Sequence, residues 1–159
     1  MKLLIAVLLL IGLGLAAFSW MAVQSRGGKA PGLREGQLAP CGAQPNCVSS
    51  YPGTPTDKLI KPVFYPQTLT QDEVESLLIK AITDTGGLIE TMEGGYMAAI
   101  YRSKLFGFVD DMELLVDHDS RVIHLRSASR VGYSDLGANR KRAEQLRSAI
   151  LSTAQLQEQ

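Results

Sequence analysis

The densest chemistry in this chain lies between Arg126 and Arg142, in the run Arg-Ser-Ala-Ser-Arg-Val-Gly-Tyr-Ser-Asp-Leu-Gly-Ala-Asn-Arg-Lys-Arg. Arg126, Arg130 and Arg140 supply permanent positive charge. Tyr133 and Asn139 supply neutral donors and acceptors, and Asp135 supplies a carboxylate. The run leaves a strand, turns at Gly132 and enters a helix. Free backbone N–H groups at a helix start, with guanidinium groups beside them, bind anions. Asp135 stands at that same start, where it or Ser134 can cap the helix and fill the position itself. Upstream, Asp110 and Asp111 are adjacent, so on a strand they face opposite sides and do not form a ready acid–base pair. Either can pair with Arg126 or Arg130.

Three uses of these groups stand side by side. They can bind an anionic ligand or partner, with Asp110 and Asp111 orienting the arginines. They can form a buried polar network that locks a loop onto a sheet, in a purely structural protein. They can serve a hydrolase acting on an anionic substrate, with Asp110 or Asp135 as acid or base. Ser49, Ser129 and Ser134 have no His placed by a recognisable motif such as Gly-x-Ser-x-Gly, which disfavours a serine nucleophile. The expectation is a binding or accessory role without catalysis.

Cys41 and Cys47 are the two cysteines. With Gly42 and the Pro45-Asn46 turn between them, they can close a seven-residue loop, worth roughly 2 kcal/mol in the chain-entropy model. Disulfides persist in oxidising compartments, so this pair points to an exported domain. The spacing is not Cys-x-x-Cys, which disfavours a redox dithiol. His118 and His124 form no zinc motif with the cysteines, so no metal is expected, and no cofactor motif is present.

Elements must hold these groups in place. Residues 38–68 carry Pro40, Pro45, Pro52, Pro55, Pro62 and Pro66, and read as an irregular, extended segment that wraps a domain. Thr70 to Glu73 has the form of a capping box, and Val74, Leu77, Leu78, Ala81 and Ile82 follow at helical spacing. Gly86-Gly87 stops that helix. Strands are predicted at Leu88–Met92, Tyr96–Ser103, around Met112–Val116 with one wetter face, and at Val122–Ser127. A last helix runs from about Leu136 to Ser152, with Ala143, Leu146, Ala149 and Ile150 as its apolar stripe. Short links between strands make an antiparallel meander. The expected fold is α+β: a four-stranded antiparallel meander sheet with two helices packed on one face, within residues 38–152. Residues 153–159 form a tail.

The address comes from the first 23 residues. Leu3 to Val23 carries no charge and is long enough to span a bilayer core as a helix. Trp20 suits the interface. A retained anchor is favoured, because the apolar run continues past the small residues at Ala17 to Ser19. Cleavage as a signal peptide, and hence secretion, is the alternative. Residues 24–37 read as a linker. The expected protein is anchored by residues 3–23, with its domain on the exported side of a cell envelope.

Charge is balanced overall but sorted along the chain. Residues 72–119 carry eleven acids against Lys80, Arg102 and Lys104, and residues 121–147 carry seven bases against Asp135 and Glu144. Internal pairing accounts for such sorting, and so does a basic patch for an anionic small molecule, a lipid headgroup or an acidic envelope protein. Nucleic acid is not an expected partner, since no aromatic stacking platform stands among the bases.

The segment from Arg126 to Arg142, with Pro45-Asn-Cys-Val-Ser-Ser50 and Phe108-Val-Asp-Asp111, resembles a bacterial family known as domain of unknown function 1499. The similarity covers residues 38–152. The recurrent positions fall here on Asn46, Cys47, Ser49, Ser50, Asp110, Asp111, Arg126, Ser127, Ser129, Arg130, Gly132, Tyr133, Asp135, Gly137, Asn139 and Arg142. The resemblance implies a membrane-anchored or exported protein and carries no activity with it.

Overall fold

A computed structural model describes residues 1–157. Helix α1 (Lys2–Arg26) is long and apolar enough to cross a membrane, and its apolar stretch is not buried by the rest of the chain. A two-stranded hairpin follows, β1 (Leu33–Arg34) with β2 (Gln37–Leu38). It turns through Glu35 and Gly36, both at positive φ.

The main sheet is antiparallel throughout. Its central meander is β5 (Leu88–Glu93), β6 (Tyr96–Arg102), β7 (Val109–Asp117) and β8 (Val122–Ser129). Six strands are found here rather than the four expected. β3 (Cys47–Ser49) and β4 (Val63–Phe64), both from the proline-rich segment, pair along the outer edge of β8. The two additions are only two and three residues long, too short to show a period of two. They escape the prolines by fitting between them, at a sheet edge where proline is tolerated.

Helices α2 (Gln71–Asp84) and α3 (Ala138–Gln157) pack on one face of the sheet. Thr70 closes the expected capping box: its Oγ1 accepts from the Glu73 N–H, and its own N–H donates to the Glu73 carboxylate. Val74, Leu77, Leu78, Ala81 and Ile82 meet Ala143, Leu146 and Ile150 over Met97, Ala99, Met112, Leu114, Ile123 and Leu125. Each fully buried Leu, Ile or Met contributes about 1.5–3 kcal/mol, so this layer supplies most of the drive to fold. Gly87 admits no side chain, since a Cβ would lie 2.7 Å from Ile82 Cγ2 and from the Tyr101 ring.

The opposite face is covered differently. The chain leaving α1 crosses it, and Leu38 and Ala30 pack on Tyr96, Ala98 and Leu115. The stretch read as a linker thus ends α1, covers part of the sheet and forms the hairpin. The strand alternation places Asp110, Met112 and Leu114 towards α2 and α3, and Asp111 and Glu113 towards this second face. The wetter face expected for β7 is dry at its centre, because Glu113 is fully buried.

Candidate functional site

On the helix face, Asp110 begins a network built from both ends of the domain. Arg142 of α3 donates to the Asp110 carboxylate at 2.8 Å and to Asn139 Oδ1 at 3.0 Å. Its guanidinium lies over the Tyr101 ring, 5.1 Å from the centroid. Asn139 Oδ1 also accepts from Ser127 Oγ at 2.6 Å. Asn139 Nδ2 donates to Ser129 Oγ and to the Asn46 carbonyl. Asn46 Nδ2 reaches the Gly132 carbonyl at 2.7 Å. One buried amide, Asn139, therefore ties β3, β8 and the following loop to the first turn of α3. Asp135 caps that turn, accepting from the N–H of Gly137 at 3.1 Å and of Asn139 at 2.6 Å.

The second face carries two ion pairs. Arg130 Nε sits 3.0 Å from both Asp111 oxygens, and its Nη2 sits 2.7 Å from Asp111 Oδ1. Glu90, the extra residue of a bulge in β5, reaches the same Nη2 at 3.2 Å. The hydrogen bonds it donates to Asp111 hold the Arg130 guanidinium above its ordinary pKa, against the opposing effect of burial. Arg126 pairs with Glu113 at 2.5 Å. Glu113 Oε1 accepts from Tyr96 Oη at 2.8 Å and from the Gly32 N–H at 3.1 Å. Burial first, and the Glu113 carboxylate second, push the Tyr96 phenol well above its ordinary pKa. Arg126 Nε is buried with no partner among the described residues.

The eight residues singled out from the sequence do not share one site. Asp111 and Arg130 meet, as the pairing argument allowed, and Arg126 lies beside them on the same face. Asp110 lies on the other face with Asn139. Asp135 is a helix cap. Tyr133 is exposed and makes no hydrogen bond among the described residues. Arg140 joins neither network: it lines a small cavity with Asp135 and donates to the carbonyls of Leu59 and Asp57 at 2.9 and 2.6 Å. Sequence reasoning missed Glu113 and Ser25 as network members. Glu113 carried a signal, standing two residues after Asp111 and so on the same strand face. Ser25, in the last turn of α1, carried none.

Cys41 and Cys47 form the expected disulfide, with their Cα atoms 5.6 Å apart. His118 Nδ1 meets Tyr65 Oη, and His124 Nδ1 meets the Ser50 carbonyl. Among the described residues, no group of three or more His, Cys, Asp or Glu side chains is placed to hold a metal ion.

A family model described as Protein of unknown function (DUF1499) matches residues 37–150. The chain belongs to this family. The DUF1499 match takes in the whole main sheet, α2 and most of α3, and so both polar networks apart from Ser25 and Gly32; it leaves α1 outside. No curated protein and no solved structure matches the chain.

Outside the networks, a cleft of about 630 Å³ opens between α3 and the segment preceding β4. Lys61, Arg140, Glu144 and Arg147 line it, with Ser50 and Thr56. Arg140 is held there by neutral carbonyls, so its charge has no counter-ion among the described residues. Arg147 is only loosely compensated, 3.7 Å from Glu144.

Proposed function

We propose that this DUF1499 protein is a membrane-tethered module, its domain on the exported side of a cell envelope, that binds an anionic ligand or partner without catalysis. The observation that carries the reading is the division of labour among the arginines. Arg126, Arg130 and Arg142 are each neutralised by a carboxylate within the fold. Arg140 is not, and it faces an open cleft with Lys61 and Arg147. Three cations against Glu144 favour an anion of one or two negative charges, such as a phosphate or carboxylate group. The carboxylates Asp110, Asp111 and Glu113 are engaged with arginines and Asp135 with backbone N–H groups, which supports a non-catalytic role for them. The disulfide supports the exported side. The apolar helix supports a retained anchor, since its last turn is built into the domain through Ser25.

Inorganic phosphate is the first probe. The thermal midpoint of the full chain in detergent micelles is to be followed with phosphate against chloride at matched ionic strength. A ligand that binds only the folded state raises the midpoint by mass action. The expected result is a rise specific to phosphate, absent in the Lys61→Gln/Arg147→Gln double variant. An equal response to both salts, or an undiminished rise in the variant, overturns the reading.

A further inference from the structure

At one end of the sheet two loops come alongside α1. The β6–β7 loop, Ser103 to Phe108, lays Phe106 against Phe18 of α1, with ring centroids 5.6 Å apart and the planes nearly parallel. Phe108 packs edge-on to both of these rings. The β8–α3 loop passes the helix one turn later, where Gly132 lies beside Met21. Both contacts fall inside the uncharged run of α1, eight and five residues before the charge at Arg26.

The tips of these loops are apolar and lack cover. Leu105 is 83% exposed, Tyr133 73% and Leu136 97%. Leu136 also holds a left-handed backbone at φ 53. Non-glycine residues seldom adopt that conformation; the Leu136 N–H donates to Ser134 Oγ at 3.3 Å, and its side chain is left in the open. Basic groups rim the same end. Arg26 lies against Gly107, and Lys104 is exposed beside Leu105.

We infer that the domain sits directly on the bilayer, with the tips of the β6–β7 and β8–α3 loops inserted into the interface around α1. This rests on α1 being a retained membrane helix. A loop that stacks on Phe18 reaches the depth of that residue, which lies inside the hydrocarbon-facing part of the helix. Leu105 and Leu136 then enter the acyl boundary, Tyr133 takes the interfacial level suited to its ring, and Arg26 and Lys104 meet the headgroups. Three points of contact, one helix and two loops, fix the orientation of the domain to the membrane. Its opposite end, with the Gly94-Gly95 turn and the Asp117–Arg121 turn, faces away into water.

The chain has one tryptophan, Trp20, so membrane depth can be read by fluorescence. The full chain is reconstituted in phosphatidylcholine vesicles with and without brominated acyl chains. Trp20 in the native chain tests the anchor. Leu105→Trp and Leu136→Trp, each in a Trp20→Phe background, test the loops, and Phe64→Trp serves as a control on the strand edge. The expected result is loss of emission in brominated vesicles for Trp20 and for both loop variants, with Phe64→Trp unaffected. Quenching of Trp20 without quenching at both loop positions overturns the docking and leaves the anchor standing. An unquenched Trp20 overturns the anchor and the docking with it.

Discussion

Arg130 concentrates more of the structure than any other side chain. It forks onto Asp111, takes a second carboxylate from Glu90 and donates to the Ser25 carbonyl at 3.3 Å. Removing one partner of a buried pair leaves the other charged and unpaired, which costs about 3–5 kcal/mol. Arg130→Ala and Asp111→Ala are each expected to lower the urea-unfolding free energy by that order. The double variant is expected to lose clearly less than the sum, because the stranded charge is gone. Additive losses would show that the pair is not coupled. This pairing was legible in the sequence, since adjacent aspartates on a strand must part to opposite faces and arginines stood on the next strand and in the loop after it. Glu113 was not. An alternating charge on a strand reads as solvent-facing, and only the register, which sets Glu113 opposite Arg126, reveals that it is paired and dry.

Among the elements, α2 announces itself most fully. Its cap, its apolar stripe and its glycine stop are all local signals. Thr70→Ala is expected to cost about 1 kcal/mol at neutral pH. The other half of the box is pH-sensitive. The backbone N–H of Thr70 first, and its hydroxyl second, hold the Glu73 carboxyl below its ordinary value of 4.5. A carboxylate with a lowered folded pKa stabilises above its unfolded value and loses that contribution as pH falls through the folded one. The native chain should therefore exceed Glu73→Gln in thermal midpoint at neutral pH, and the gap should close below pH 4.5. A gap that persists unchanged in acid would remove the cap from the account. The edge strands β3 and β4 lacked any such signal. Their few residues sit between prolines, and pairing with β8 is a property of the sheet they join rather than of their own composition. The charge sorting along the chain likewise becomes intelligible only across elements. The acids of β7 meet bases from β8, the loop after it and α3.

At the scale of the whole molecule, the domain and its apolar N-terminal helix are one unit. The family match begins at residue 37, yet the second face of the sheet is closed in part by what precedes it, through Ala30 and the Gly32 N–H on Glu113. Ser25 is the joint: its Oγ accepts from the buried Val109 N–H at 3.0 Å and donates to the Ala22 carbonyl, while its own carbonyl receives Arg130. Nothing in the polar, glycine-rich composition of residues 24–37 marks this, because a covering strand with few side chains to bury leaves no period to read. Ser25→Ala in the full chain leaves the Val109 N–H buried without an acceptor, at a cost of about 1–3 kcal/mol. The amide of Val109 should then exchange with solvent faster than in the native chain, and the urea midpoint should fall, while Ser152→Ala, in an exposed position on α3, should change neither. Unaltered protection at Val109 would mean that α1 only tethers the domain. A loss there would mean that a change in the tilt of the helix is felt at the first residue of β7, next to Asp110 and Asp111, and so at the root of both polar networks.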